Sequence, residues 1–176
     1  RAIASKMFHF AHGACDWSAW RLHHGFLRHP DSGQTLDEAL AAHMPGPHSY
    51  TGEDLIEFYC HGGRGILRPV LLAALACGAR TARPGEFTLR AYLNGRLDLA
   101  QAEAVADVIH ATGETSCALA LQQMAGTLSQ WVAHLKNDLV GILAEIQAGI
   151  DFPDEDLTLI PRQRLLERLQ QRKTLL

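Results

Sequence analysis

Between Leu121 and Ile150 apolar side chains recur at Leu121, Met124, Leu128, Trp131, Leu135, Leu139, Ile142, Ile146 and Ile150, always three or four residues apart. That spacing keeps one face of an α-helix apolar along its whole length. It predicts, after Thr112-Gly113, a helix of roughly 35 residues, or about 50 Å at 1.5 Å per residue. A stripe so long and narrow needs partner helices, so a bundle is the expected architecture of this half of the chain. Pro153 ends the stripe, and Pro161 opens a last amphipathic stretch, Arg162 to Leu176, that stops without a cap. One more helix is expected from Leu99 to His110, where Asp98 and Gln101 form a capping-box pair and Leu99, Ala102, Ala106 and Ile109 share a face. Two short helices cannot cover such a stripe, and leaving several Leu and Ile side chains wet forgoes roughly 1.5–3 kcal/mol each. The bundle is therefore expected to be incomplete within these residues.

Upstream of Asn94-Gly95 period-two and short mixed elements replace the long 3.6-period patterns, which places a domain boundary there and divides the chain into residues 1–94 and 95–176. The clearest strand runs from Asp54 to Cys60, with Ile56, Phe58 and Cys60 on one face and Leu55, Glu57 and Tyr59 on the other. The turn His61-Gly62-Gly63-Arg64-Gly65 leads into a helix from about Ile66 to Cys77, with Gly78 as its left-handed C-terminal residue. Arg83-Pro84-Gly85 breaks the chain, and a short helix from Glu86 to Leu93 is closed by Asn94-Gly95. Residues 1–53 carry weaker signals, of which the Asp31-Ser32-Gly33 turn between two strands is the most legible.

Composition narrows the class without deciding it. The 176 residues are 47% hydrophobic and 20% charged, enough to bury a core in one or two domains. A formal charge of −3 with interspersed signs gives no broad footprint for nucleic acid, so any nucleic-acid contact would be local or made by other parts of the protein. Cys15, Cys60, Cys77 and Cys117 lie far apart, mostly in apolar runs, which favours reduced thiols and a reducing cytoplasm. No stretch reaches the roughly 20 apolar residues that span a bilayer. The start, Arg1-Ala2-Ile3-Ala4-Ser5-Lys6, is not a signal peptide, and the absence of an initiating Met suggests a truncated N-terminus.

No Lys follows a Gly, so the Gly-Lys-Ser/Thr phosphate loop is missing and no GTP hydrolysis is expected from this stretch. The glycines after His61 serve either close packing or the binding of an anion at the next helix's N-terminus. Cys60 and His61 point to opposite strand faces and no second Cys or His pair lies at ligand spacing, so no metal site is assigned. Trp17 and Trp20 are expected to fill core or interface space, and the histidines to be surface or packing residues. Glu57 is either an exposed edge carboxylate or the polar anchor of an apolar pocket. In the second case it suits a heterocycle with two adjacent N–H donors, the edge that pterins and guanines present. Arg96 either meets a ligand carboxylate or neutralises nearby Asp98.

Five segments then carry a resemblance. Pro47 to Asp54 (PHSYTGED), Cys60 to Gly63 (CHGG), Arg83 to Thr88 (RPGEFT), Arg90 to Ala104 (RAYLNGRLDLAQAEA) and Asp151 to Asp156 (DFPDED) occur in the order and spacing of the MnmE family, also called TrmE. The resemblance covers about residues 35–157, and residues 1–29 match poorly. It implies an α+β chain: a tetrahydrofolate-binding N-terminal domain akin to that of aminomethyltransferases, then a partial helical bundle with one very long helix. In the family a GTPase domain interrupts the helical domain, and the helices after it cover the stripe. The family's full-length enzyme works with the flavoprotein MnmG. It installs an aminomethyl or carboxymethylaminomethyl group at C5 of the wobble uridine of certain tRNAs, with methylene-tetrahydrofolate as carbon donor. By position, the strand carboxylate that contacts folate (a 5,10-methylene or 5-formyl derivative) is Glu57, and the basic residue of the Asn-Gly-basic-Leu-Asp segment is Arg96. The resemblance further implies a homodimer through the N-terminal domain, with GTP, Mg2+ and K+ confined to the GTPase domain and no catalytic residue in this chain. A first-strand arginine and a Cys-x-Gly-Lys tail, both used by the family, do not occur here. Two other classes remain open: a stand-alone folate-dependent aminomethyltransferase, and a non-catalytic module for dimerisation or tRNA docking.

Overall fold

Period-two patterning in the first half becomes a four-stranded antiparallel sheet in the computed structural model, which describes residues 1–12, 16–151 and 162–173. The strands are β1 (Phe8–Phe10), β2 (Leu22–Arg28), β3 (Thr35–Met44) and β4 (Leu55–Tyr59), in the order β1-β2-β3-β4. The expected turn at Asp31-Ser32-Gly33 joins β2 to β3 as a hairpin, closed by His29 N–H to the Gln34 carbonyl at 2.9 Å and Gly33 N–H to the His29 carbonyl at 3.0 Å. Leu27, Ala39 and Ala41 look inward from the sheet. Against them lie α1 (Ala2–Met7) and α2 (Arg64–Ala76), with Met7, Val70, Ala73 and Cys77 buried among Phe8 and Trp17. Alanines at 39, 41 and 73 let helix and sheet approach closely, so the large side chains fill the flanks. Trp17 is in this core, whereas Trp20 is exposed.

The predicted parity of β4 holds: Ile56, Phe58 and Cys60 pack on the core, while Glu57 and Tyr59 are exposed on the other face. Helix α3 (Glu86–Leu93) and helix α4 (Leu99–His110) have the predicted limits. Gly78 after α2 and Gly95 after α3 have φ of +101° and +69°. Each sits in a Schellman ending, Ala79 N–H to the Ala74 carbonyl in one case and Arg96 N–H to the Ala91 carbonyl in the other. The capping box is reciprocal: Asp98 N–H donates to Gln101 Oε1 at 3.0 Å, and Gln101 N–H to Asp98 Oδ1 at 2.9 Å. The chain's contacts divide it into two compact units after Ala102, inside α4.

In the second unit the single very long helix is corrected to two, α5 (Glu114–Met124) and α6 (Thr127–Asp151). Gly126 breaks the run at φ +84°, its N–H bonding the Gln123 carbonyl at 2.9 Å. The Thr127 hydroxyl donates to the Gln122 carbonyl at 3.0 Å, capping a carbonyl that a continuing helix would have used. The 25 residues of α6 span about 37 Å. Helix α7 (Arg162–Lys173) is tied to α6 by Arg168, which donates to both oxygens of Glu145 at 2.9 and 3.0 Å. The roles foreseen for Pro153 and Pro161 lie outside the described residues. Along the stripe Ile142 is buried, but Leu128, Leu139 and Ile146 are 48%, 43% and 40% exposed. Val132, Leu135, Leu139, Val140 and Leu143 border an open groove of about 320 Å³. The apolar face is thus covered only in part by the described residues of this chain, Ile142 being buried while Leu128, Leu139 and Ile146 stay open.

Gly126→Ala is expected to cost the helical unit about 1–2 kcal/mol, the penalty for a Cβ in the left-handed region. Chemical denaturation checks it. Unchanged or higher stability would mean that the helix runs straight through residue 126, as the stripe alone predicted.

Candidate functional site

The connection from β3 to β4, residues 45–54, is held by side chains that come from far along the chain. Ser49 and Thr51 are buried in it. Asn94 Nδ2 donates to the Thr51 carbonyl at 2.8 Å, and Arg96 Nε to the Ser49 carbonyl at 3.1 Å. The Tyr50 and Thr88 hydroxyls are 3.0 Å apart, and Arg90 is ion-paired with Glu53. Within the loop, Ser49 Oγ donates to the Glu53 carbonyl at 2.5 Å, and Gly46 N–H to Asp54 Oδ1 at 3.1 Å. The stem of Arg96 lies over Gly52, where an added Cβ would come within 3.2 Å of Arg96 Cγ. The Schellman ending at Gly95 is what turns Arg96 back onto this loop, so its first role is to pin the approach to β4. Its side chain is otherwise exposed.

Glu57 is the third residue of β4, an edge strand of the sheet. Its register partner is Ala42, whose own partner across β2 is Leu22, and Tyr59 is paired with Leu40, then His24. Side chains in these rows share the outer face. Glu57 therefore stands among exposed apolar neighbours, Leu22, Leu40 and Tyr59, rather than inside an enclosed pocket. Of the two readings open from sequence, the exposed edge carboxylate is the one observed. Tyr59 Oη donates to Glu57 Oε2 at 2.5 Å. That bond keeps the phenol protonated above its usual range, because losing the proton would set two negative groups together.

Beside Tyr59 opens a concavity of about 450 Å³ lined by His24, Glu38, Leu40, Tyr59, Cys60 and His61. Two imidazoles stand at its rim, each anchored by a carboxylate. His24 Nε2 lies 2.7 Å from Glu38 Oε1, and His61 Nδ1 lies 2.8 Å from Asp37 Oδ1. Asp37 is buried and also accepts the His61 backbone N–H at 2.8 Å. Burial alone would push the Asp37 carboxyl up, but the backbone and ring bonds from His61 together outweigh it and hold the pKa below the usual carboxylate range. The same carboxylate raises the His61 pKa through its hydrogen bond and charge. The Cys60 thiol is pushed up, first by burial and then by Asp37, which keeps it in the less nucleophilic thiol form. Among the described residues no group of three or more His, Cys, Asp or Glu is placed to hold a metal ion.

The two residues singled out from sequence thus flank one structural feature: Arg96 holds the 45–54 loop, and Glu57 sits on the strand that follows it. Sequence reading missed the Asp37–His61 clamp, since 24 residues separate the partners and no local pattern marks them. The Tyr59–Glu57 bond had a signal, two residues of the same strand face.

Two family models cover nearly the whole chain: the GTP-binding protein TrmE N-terminus over residues 1–96, and the MnmE helical domain over residues 99–176. The first includes residues 1–29, where motifs were weak. The chain is 46% identical over 162 residues to the tRNA modification GTPase MnmE of Heliobacterium modesticaldum, covering 92% of this chain and 35% of that protein. The MnmE of Koribacter versatilis is 43% identical over 169 residues (96% and 37%), and that of Geotalea uraniireducens 48% over 145 residues (82% and 32%). The chain spans about a third of the length of these curated relatives. With residues 1–96 and 99–176 matched by the two models, the chain belongs to the MnmE (TrmE) family, to its N-terminal and helical domains.

Proposed function

We propose that this chain supplies reduced-folate binding and dimerisation to a GTPase that, with the flavoprotein MnmG, modifies C5 of the wobble uridine of tRNA in the cytoplasm. The observation that carries the reading is the placement of Glu57, the strand carboxylate carried over from the family by position, as an exposed acceptor flanked by Tyr59 and Leu40. A flat heterocycle with adjacent N–H donors fits that set: its edge meets the carboxylate and its faces meet apolar side chains. Arg96, whose Nε is held by Ser49, keeps its terminal nitrogens for an anionic group of the same ligand. Bound there, the folate supplies the one-carbon unit. Glu57 orients it, Arg96 steadies the neighbouring loop, and a second copy of the chain closes the open side as a homodimer. GTP, Mg2+ and K+ belong outside these residues, which hold no phosphate-loop lysine. The uncovered face of α6 is where the remaining helices of the helical domain pack. Calorimetric titration with 5-formyltetrahydrofolate and light scattering test the reading together. Saturable binding and a dimeric mass are expected. A strictly monomeric mass well above micromolar concentration, with no heat of binding, overturns it.

A further inference from the structure

Glu57 does not stand alone on its face. A glutamate carboxylate on an exposed strand turns broadly about its last torsion, and a ligand that needs both oxygens must first freeze that rotation. Here the rotation is already restrained, because Tyr59, two residues along the same face, donates its hydroxyl to Oε2 at 2.5 Å. The Tyr59 ring also lines the adjoining 450 Å³ concavity, so one side chain touches both the carboxylate and the space beside it. We propose that Tyr59 is a positioning residue for ligand recognition: its hydroxyl sets the plane of the Glu57 carboxylate, leaving Oε1 and the remaining lone pairs of Oε2 for a heterocycle's paired N–H donors. The proposal rests on the reading of Glu57 as the folate-binding carboxylate. It selects flat ligands with a two-donor edge over those with one donor, because only the former use a carboxylate whose plane is fixed. The raised phenol pKa agrees with the bond.

The test titrates 5-formyltetrahydrofolate into the full-length protein as wild type, Glu57→Ala, Glu57→Gln, Tyr59→Phe and the Glu57→Gln/Tyr59→Phe double variant. Tyr59→Phe keeps the ring and is expected to weaken binding about three- to tenfold, the cost of ordering one free side chain. In the Glu57→Gln background, where one neutral oxygen remains to accept the hydroxyl, the same change should have a clearly smaller effect. A ligand-free measurement stands beside it: by tyrosinate absorbance, one tyrosine should ionise late in the wild type and return to the ordinary range in Glu57→Gln. An unaltered affinity for Tyr59→Phe, an equal loss in both backgrounds, or a phenol titration indifferent to Glu57 overturns the proposal while leaving the folate reading intact. Folate affinity that survives Glu57→Ala removes the reading of Glu57 and the proposal with it.

Discussion

Glu57→Ala is expected to abolish reduced-folate binding at micromolar protein, and Glu57→Gln to lose most of it. A hydrogen bond to a charged group contributes about 1.5–3 kcal/mol. Two such bonds from a pterin edge amount to roughly 3–6 kcal/mol, or about a hundred- to ten-thousandfold in affinity at 1.4 kcal/mol per decade. The lower end applies to a face open to water, and the upper end to one from which water is excluded. An amide has one acceptor oxygen and turns its NH2 toward the second donor, so glutamine loses a bond and meets a clash of donors. Because Glu57 is exposed and outside the core, both variants should melt like the wild type. Calorimetry returning the same affinity for all three proteins would take the folate assignment away from Glu57.

The largest effect on stability is expected from Trp17→Ala. Trp17 is 5% exposed, with ring centroids 5.0 Å from Phe10, 5.4 Å from Phe8 and 5.9 Å from His23. Its Nε1 donates to Ser5 Oγ at 2.8 Å, and its carbonyl lies 3.3 Å from Nδ1 of buried His43. The residue thus joins α1, β1 and the segment before β2 to the inner face of the sheet. Truncation to alanine removes a large buried ring and leaves a cavity, at about 3–5 kcal/mol. That is a large share of the roughly 5–15 kcal/mol that holds a domain folded. Trp17→Phe keeps most of the ring and loses the Ser5 bond, so a smaller cost of about 1–2 kcal/mol is expected. Urea denaturation of both variants decides it. A loss below about 1 kcal/mol for alanine would mean that the Trp17 side chain is not part of the core.

Where the physics is local, the chain could be read in advance. Helices α3 and α4 have the limits their sequence announced, because the Gly95 ending and the Asp98–Gln101 box form within one turn of chain. The faces of β4 followed from side-chain parity alone. Gly126 is hidden in the sequence for an equally physical reason. Apolar residues continue at Met124 and Leu128 across the break, and a glycine inside a helix costs only about 1 kcal/mol, so the stripe outvoted it. What ended α5 was the left-handed residue together with the Thr127 hydroxyl on Gln122, a combination that periodicity does not register.

The five motif segments carried the family, and strand parity and local chemistry had already marked Glu57 and Arg96 as candidates. Only the tertiary structure decided what those residues touch. Arg96 meets Ser49 across 47 positions, and Asp37 meets His61 across 24. In β2, Gly25 is required because an added Cβ would fall 2.3 Å from the His9 carbonyl oxygen and 2.6 Å from the Phe8 ring. None of these partners shares a turn or a period, so composition and spacing carry no record of them. Caps, turns and strand parity are set by neighbours within a few residues, and the sequence states them outright. Which distant groups meet is set by how sheet and helices pack, and that becomes legible only when the whole chain is folded.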